Sequence, residues 1–242
     1  METFNEQFQA ENPNVTVDMS VVNANDLSTV TQTRLNANDL DVVDMFGFAN
    51  AAQPYMENVT PPNWQTLIDA GLMMDLTGQP FVDNYDAATI QDSGTYNGKV
   101  YQVNLGRVTY SGIYYNKDLF AANGVEVPTT WSELVAACET FAAADIPCMT
   151  AGGKDGWPIF VGAYGLIGSI YPDQAALVEG LWTGDIKWND ETSLEMWEKM
   201  KVYAQDMMES GASGIAGDAA PGRFASGAVA MFSGGSWYAA AI

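Results

Sequence analysis

One stretch constrains this chain more than any other: Tyr114-Tyr115-Asn116-Lys117-Asp118-Leu119-Phe120, continuing through Gly124 and Pro128 to Thr130-Trp131-Ser132-Glu133-Leu134. It packs a buried strand, a turn and a capped helix into a short span. Thr130 suits the N-cap of a helix that Trp131 opens. Glu133, three residues after Thr130, completes a capping box, in which each side chain satisfies a backbone amide that the helix start leaves free. A strand feeding directly into a helix is one unit of a β-α alternation, and much of the chain repeats that rhythm.

Phe4 and Phe8 precede Asn12-Pro13, which predicts the end of an amphipathic helix stopped by proline. Val15, Val17, Met19 and Val21 alternate as a strand with one buried face does. A helix is expected from about Asp26 to Ala37 with Asn25 as its N-cap. The apolar run in Asp41-Val42-Val43-Asp44-Met45-Phe46 then predicts a strand buried in a parallel sheet. From Phe48 to Leu76 the pattern predicts helices broken at Pro54 and at Pro61-Pro62. Asn97-Gly98 sits between Thr95-Tyr96 and Lys99 to Val103, and a type I′ hairpin turn needs positive φ at both central positions. Further along, the expectations are a helix ending near Asp145, a strand at Pro147-Cys148-Met149, and an apolar helix containing Phe160, Tyr164, Leu166 and Ile167. A helix from about Ser193 to Glu209 follows, with Leu194, Trp197, Met200, Met207 and Met208 mostly on one face. Ala228 to Phe232 predicts a last strand, ending at Gly234-Gly235-Ser236-Trp237.

Composition narrows the chemistry. The 242 residues are 48% hydrophobic and 12% aromatic, the mark of a folded chain with a sizeable core. Nine Lys and Arg against thirty Asp and Glu give a net charge of −21. That field repels phosphate backbones and anionic head groups, so nucleic acid and membrane surfaces are poor partners. The carboxylates are scattered and read as a solvated exterior. No run of about 18 apolar residues marks a membrane span. There is no histidine. Its absence removes Ser-His-Asp and Cys-His nucleophiles, His-ligated zinc and the usual general base near neutral pH. Cys138 and Cys148 match neither a redox C-x-x-C pair nor a zinc site. A disulfide between them and two buried free thiols both stand open.

The pattern Y-N-K-D-L-F-x-x-x-G-x-x-x-P-x-T-W-x-E-L, running from Tyr115 to Leu134, resembles the signature of family 1 extracellular solute-binding proteins. A second match is Phe224 to Trp237, which is similar to the family's F-x-x-G-x-x-A-M-x-x-x-G-S-W. Gly98-Lys99-Val100-Tyr101-Gln102-Val103 resembles the family's hairpin before the crossover, with Asn104 in place of the usual proline. Asp155-Gly156-Trp157-Pro158 resembles a family loop that faces ligand. All four occur in the family's order and cover nearly the whole chain.

The resemblance implies an α/β chain of the two-lobed periplasmic-binding-protein type II fold, incomplete at both ends. Residues 1–108 would form an N-terminal lobe lacking its first strand and the returning C-terminal segments. Residues 109–242 would form a second lobe, cut short at its C-terminus. The implied function is that of the extracellular substrate-binding subunit of an ABC importer. Such a subunit captures a carbohydrate, here an oligosaccharide, in the cleft between two lobes and delivers it to a membrane permease. The implied protein is a monomer, extracellular or periplasmic and lipid-anchored at the cell surface. It is not an enzyme and carries no cofactor and no metal.

Within that framework, aromatic rings stack on the apolar faces of sugars, and carboxylates and amides bind the hydroxyls through charge-assisted bonds. Trp237 follows a Gly-Gly turn at a strand end, where the family places a stacking aromatic, and Tyr238 lies beside it. Asp155 and Trp157 sit on a glycine-rich loop suited to close approach. Asp44 and Phe46 end the expected buried strand. Arg107, Thr109 and Tyr110 lie where the chain is expected to cross between lobes, although Arg107 also suits an ion pair in so acidic a chain. Trp131 is expected to pack at its helix start. Trp182, Trp188 and Trp197 are expected in a lobe core.

The rival function is a carboxylate-dependent glycoside hydrolase, which needs two carboxylates and no histidine. No carboxylate pair here carries a catalytic motif. A calcium-binding module has less support, because no D-x-[DN]-x-[DN]-G loop occurs.

Overall fold

The computed structural model describes residues 1–44, 51–106 and 108–242. It divides into two compact units, Met1–Leu105 and Gly106–Ile242.

The first unit is mainly helical. Helix α1 (Glu2–Glu11) ends at Asn12, whose N–H donates to Phe8 O at 2.9 Å. Helix α2 (Ala24–Asn36) begins earlier than expected: its N-cap is Asn23, whose side chain accepts from the Asn25 amide. Asn25 is therefore a donor inside the first turn and not the cap. Helices α3 (Asn63–Asp69) and α4 (Ala87–Ser93) follow, the second capped by Asp86. Strands β1 (Thr95–Tyr96) and β2 (Lys99–Val100) pair antiparallel as a hairpin. Asn97 and Gly98 turn it with φ of 50° and 74°, as a type I′ turn requires.

Two expected strands in this unit are corrected. Val15 to Val21 form no ladder: the Val17 amide donates to the Gln9 side chain, and Val21 is 86% exposed. Asp41 to Asp44 form none either, and Val42 is equally exposed. A strand exists only through its ladder partners. Among the described residues of this unit, only the β1–β2 hairpin pairs. Met45 and Phe46 lie outside the described residues.

The second unit holds a three-stranded mixed sheet in the order β3-β5-β4. Strand β3 (Ile113–Tyr115) leads through Asn116, whose side chain caps α5 (Lys117–Ala122). Helix α6 (Trp131–Ala143) carries the expected capping box between Thr130 and Glu133. It is followed by β4 (Met149–Thr150), α7 (Trp157–Ile170), α8 (Gln174–Thr183), α9 (Glu191–Val202), α10 (Ala220–Ala225) and β5 (Met231–Ser233). Strand β5 runs antiparallel to β3, with Tyr114 opposite Phe232, and parallel to β4, with Met149 opposite Met231. Met208 bridges Met149 in parallel and extends the sheet by one more contact.

Alternation along β5 sorts the two faces. Met231 joins a core of Phe120, Phe141, Met149, Tyr203 and Met207, closed by a Cys138–Cys148 disulfide with Cα atoms 5.0 Å apart. Phe141 is wholly buried; such a ring contributes about 1.5–3 kcal/mol relative to an exposed one. Phe232 points the other way, against Tyr114, Phe224 and Tyr238.

The helix expected to run to Glu209 ends at Val202 and passes into a π-helical turn, Tyr203–Met207. Its buried face is Ser193, Met196 and Tyr203, not the Leu194–Trp197 face. The three tryptophans expected in a lobe core are corrected as well: Trp197 turns outward with its face of α9, while Trp182 stands on α8 and Trp188 in the turn before α9. Trp182, Trp188 and Trp197 are 45%, 56% and 40% exposed. Trp188 and Trp197 lie against each other outside the core, and the Trp197 indole N–H donates to Trp188 O. Trp131 does pack against the core at its helix start. Among the described residues, no helix is long and apolar enough to cross a membrane.

Candidate ligand-binding site beyond the end of β5

The pairing of β3 with β5 continues past both strands and brings two remote segments together. The Gly234 amide donates to Gly112 O at 3.0 Å, and the Ser236 amide to Thr109 O at 2.9 Å. Thr109 returns a bond from its own amide to Ser236 Oγ at 2.9 Å. This doubled link seats Tyr110 beside Trp237, with ring centroids 5.5 Å apart and the planes crossed at 62°.

Glycine makes the turn possible. A Cβ on Gly235 would sit inside the Trp237 indole, with its ring carbon Cε3 at 2.5 Å. A Cβ on Gly234 would meet the Phe232 ring at 2.6 Å and the Tyr238 ring at 2.8 Å. Only hydrogen at these positions lets the rings fold back over the backbone.

Around Trp237 the rings form a continuous cluster. Tyr164 meets Tyr110 edge to face at 5.2 Å. Trp157 lies 6.5 Å from Trp237, and Tyr238 lies 5.6 Å from it. Tyr238 rests on Phe232 at 5.0 Å, and Tyr114 donates its hydroxyl to Gly235 O. Trp157, Trp237, Tyr110 and Tyr238 are half-buried, while Tyr164 is 47% exposed. These rings are held in place, yet they keep apolar surface open to solvent.

Burial pushes the Tyr110 phenol above its ordinary pKa, with a smaller effect from Tyr164. Burial also raises Tyr238, and the nearby Asp218 and Asp155 add to this, against a lowering hydrogen bond from Trp237. Both phenols therefore stay protonated at neutral pH, and the Tyr238 hydroxyl donates to Gly217 O at 3.5 Å.

Asp155 occupies a different position from that expected of a free hydroxyl acceptor. Its Oδ2 accepts the Gly217 amide at 2.6 Å, so it latches two loops together. Gly217 was not among the residues singled out from the sequence. Neither was Tyr164, although its seven-residue spacing from Trp157 places the two on one face of α7.

The structure thus gathers Thr109, Tyr110, Asp155, Trp157, Trp237 and Tyr238 in the second unit. Asp44 lies in the first unit, exposed and outside any strand. Phe46 and Arg107 lie outside the described residues. Among the described residues, no group of three or more Cys, Asp or Glu is placed to hold a metal ion.

Comparison with known proteins gives this geometry a context. Residues 1–242 match the family model described as "Bacterial extracellular solute-binding protein". A multiple sugar-binding protein of Streptococcus mutans is 32% identical over 152 residues, which is 63% of this chain and 33% of that protein. A structure solved in work on xylan utilization by Caldanaerobius polysaccharolyticus matches with a TM-score of 0.76 at 26% identity. The match covers 97% of this chain and 57% of that one. A solute-binding protein solved in complex with raffinose matches with a TM-score of 0.72 at 24% identity, over all of this chain and 60% of its own. The chain therefore spans a third of the length of its sugar-binding relative and under two thirds of the matched structures. These neighbours have the two-lobed solute-binding fold, and the mixed helix and sheet described above is shared with them. The chain belongs to the family of bacterial extracellular solute-binding proteins.

Proposed function

We propose that this chain is part of the substrate-binding subunit of an ABC importer, and that it captures an oligosaccharide through the aromatic cluster of its second unit. One observation carries the reading: Tyr110, Trp157 and Trp237 form a fixed, partly exposed set of rings at a strand end. Rings of this kind offer flat apolar surface to the C–H faces of sugars at little entropic cost, because packing has already ordered them.

The relatives support the class of ligand, being described as binding multiple sugars or raffinose. A net charge of −21 favours a neutral ligand over an anionic one. The partner would be a membrane permease, and the subunit would work outside the cell as a lipid-anchored monomer. No chemical step is assigned. Asp155 spends one carboxylate oxygen on Gly217, which suits a positioning role better than that of a general acid.

The test is calorimetry and thermal shift of the purified chain against raffinose, xylo-oligosaccharides, chitin oligosaccharides and galactose. The expected result is a saturable rise in melting temperature with at least one oligosaccharide and no change in the sugar. No response to any of them would sink the carbohydrate reading. Release of reducing sugar would replace it with a glycoside hydrolase.

A further inference from the structure

The Asp155 loop is locked to a second loop, and that second loop is clasped by an ion pair set apart from the aromatic rings. The Lys154 amide donates to Ile215 O at 3.0 Å, and the Gly217 amide to Asp155 Oδ2. The two backbones touch directly at their glycines. A Cβ on Gly153 would lie 2.7 Å from Ala212 O, and one on Gly152 would lie 2.6 Å from Gly217 N. Gly217 in turn lies under the ligand-site residues: a Cβ there would meet Pro158 at 3.0 Å and the Trp157 ring at 3.7 Å. The position of the 209–217 segment therefore sets where Trp157 stands.

Glu209 opens that segment, and Arg223 lies beyond its far end. The Glu209 amide donates to Met149 O at 2.8 Å, which ties the start of the segment to the sheet edge. The Glu209 carboxylate, with a side chain only 4% exposed, receives Arg223 Nε at 2.8 Å and Arg223 Nη2 on its other oxygen. Arg223 belongs to α10, into which the same segment runs. A forked, two-bond pair of this kind fixes direction as well as distance. Removing Arg223 strands the buried charge of Glu209.

We propose that Glu209 and Arg223 are positioning residues for the aromatic site: their ion pair holds the 209–217 segment in register, so that Gly217 captures Asp155 and Trp157 is aimed toward Trp237. Neither residue is among the rings or loop residues proposed to meet ligand. The inference rests on the proposed function only for its affinity readout, and its structural readout stands independently.

The test compares the wild-type chain with E209Q, R223Q, R223K and the double variant E209Q/R223Q. Glutamine at position 209 keeps the shape of the side chain and leaves no buried charge, so the double variant is the one expected to remain folded. Hydrogen exchange at the Gly217 amide is expected to accelerate about tenfold or more in R223Q and in the double variant, while the Met231 amide in β5 stays protected. Near-UV circular dichroism of the tryptophans should change in parallel. Raffinose, or whichever saccharide of the panel binds, should lose about tenfold in affinity. R223K, which keeps the charge without the fork, should fall between wild type and R223Q. Unchanged Gly217 exchange and an unchanged tryptophan spectrum in the folded double variant would overturn the positioning role. Accelerated exchange in a chain whose wild type binds no saccharide supports the positioning role and overturns the proposed function instead.

Discussion

Tyr110 meets Trp237 edge to face at 5.5 Å because a backbone link between Thr109 and Ser236, residues 127 apart in sequence, brings them there. The two rings stand just beyond the ends of β3 and β5, held there by hydrogen bonds between the two segments, so they are ordered before any ligand arrives. Trp237→Ala is therefore expected to raise the dissociation constant for the bound saccharide about 10- to 100-fold, as loss of a preorganised aromatic anchor does. Trp237→Phe should recover part of it. Isothermal titration calorimetry reads both, and an unchanged affinity in Trp237→Ala would remove this ring from the site.

The disulfide gives a second expectation. Cys138 and Cys148 are each almost fully buried, and their bridge ties α6 to the start of β4 across a separation of ten residues. Closing so short a loop in the unfolded chain is worth about 2–3 kcal/mol. Replacing both cysteines by alanine should lower the unfolding free energy in urea by about that amount. Treating the wild type with dithiothreitol should give a shift of the same size. A wild type insensitive to reductant, with full thiol reactivity after denaturation, would show that the bridge does not form.

A pH effect is expected in the first unit. Hydrogen bonds from the Thr77 side chain and backbone, with Lys99 also contributing, lower the Asp75 pKa from 3.8 to about 2. A depressed folded pKa means that the stabilisation is complete above the unfolded value. It is lost as pH falls from about 4 through about 2. Asp75→Asn should flatten this part of the acid-denaturation profile and lower the plateau above about pH 5, where the wild-type stabilisation is complete, without changing its slope there. An identical acid profile for wild type and variant would contradict the assignment.

What could be read from the sequence follows from how local each signal is. The Asn97-Gly98 hairpin and the Thr130–Glu133 capping box are complete within a few residues, and both form. The Val15 to Val21 alternation is just as regular, but a strand needs a partner that no local pattern supplies. The rotation of α9 was hidden for a related reason. Leu194 and Trp197 of the expected face stay exposed, whereas Ser193, Met196 and Tyr203 turn inward together with Met207, the one expected member that is fully buried. In the candidate site, the glycine-flanked Trp237 and the Asp155 loop stand out in the sequence. The engagement of Asp155 with Gly217 does not, because it depends on two loops meeting across 62 residues.

Gly235 carries the last expectation. It leaves room for the Trp237 indole to lie against the backbone, and a methyl group would occupy the space of the ring. The Gly235 backbone is extended, with φ −82° and ψ 170°, so alanine brings no backbone strain there. Any loss in Gly235→Ala therefore reports ring displacement alone. Such overpacking is expected to cost about 1–3 kcal/mol. The displaced indole should alter the near-UV circular dichroism and weaken saccharide binding at least as much as Trp237→Phe does. If Gly235→Ala binds and unfolds like the wild type, the indole is not held over residue 235. The site would then be assembled by ligand and not built in advance by the turn.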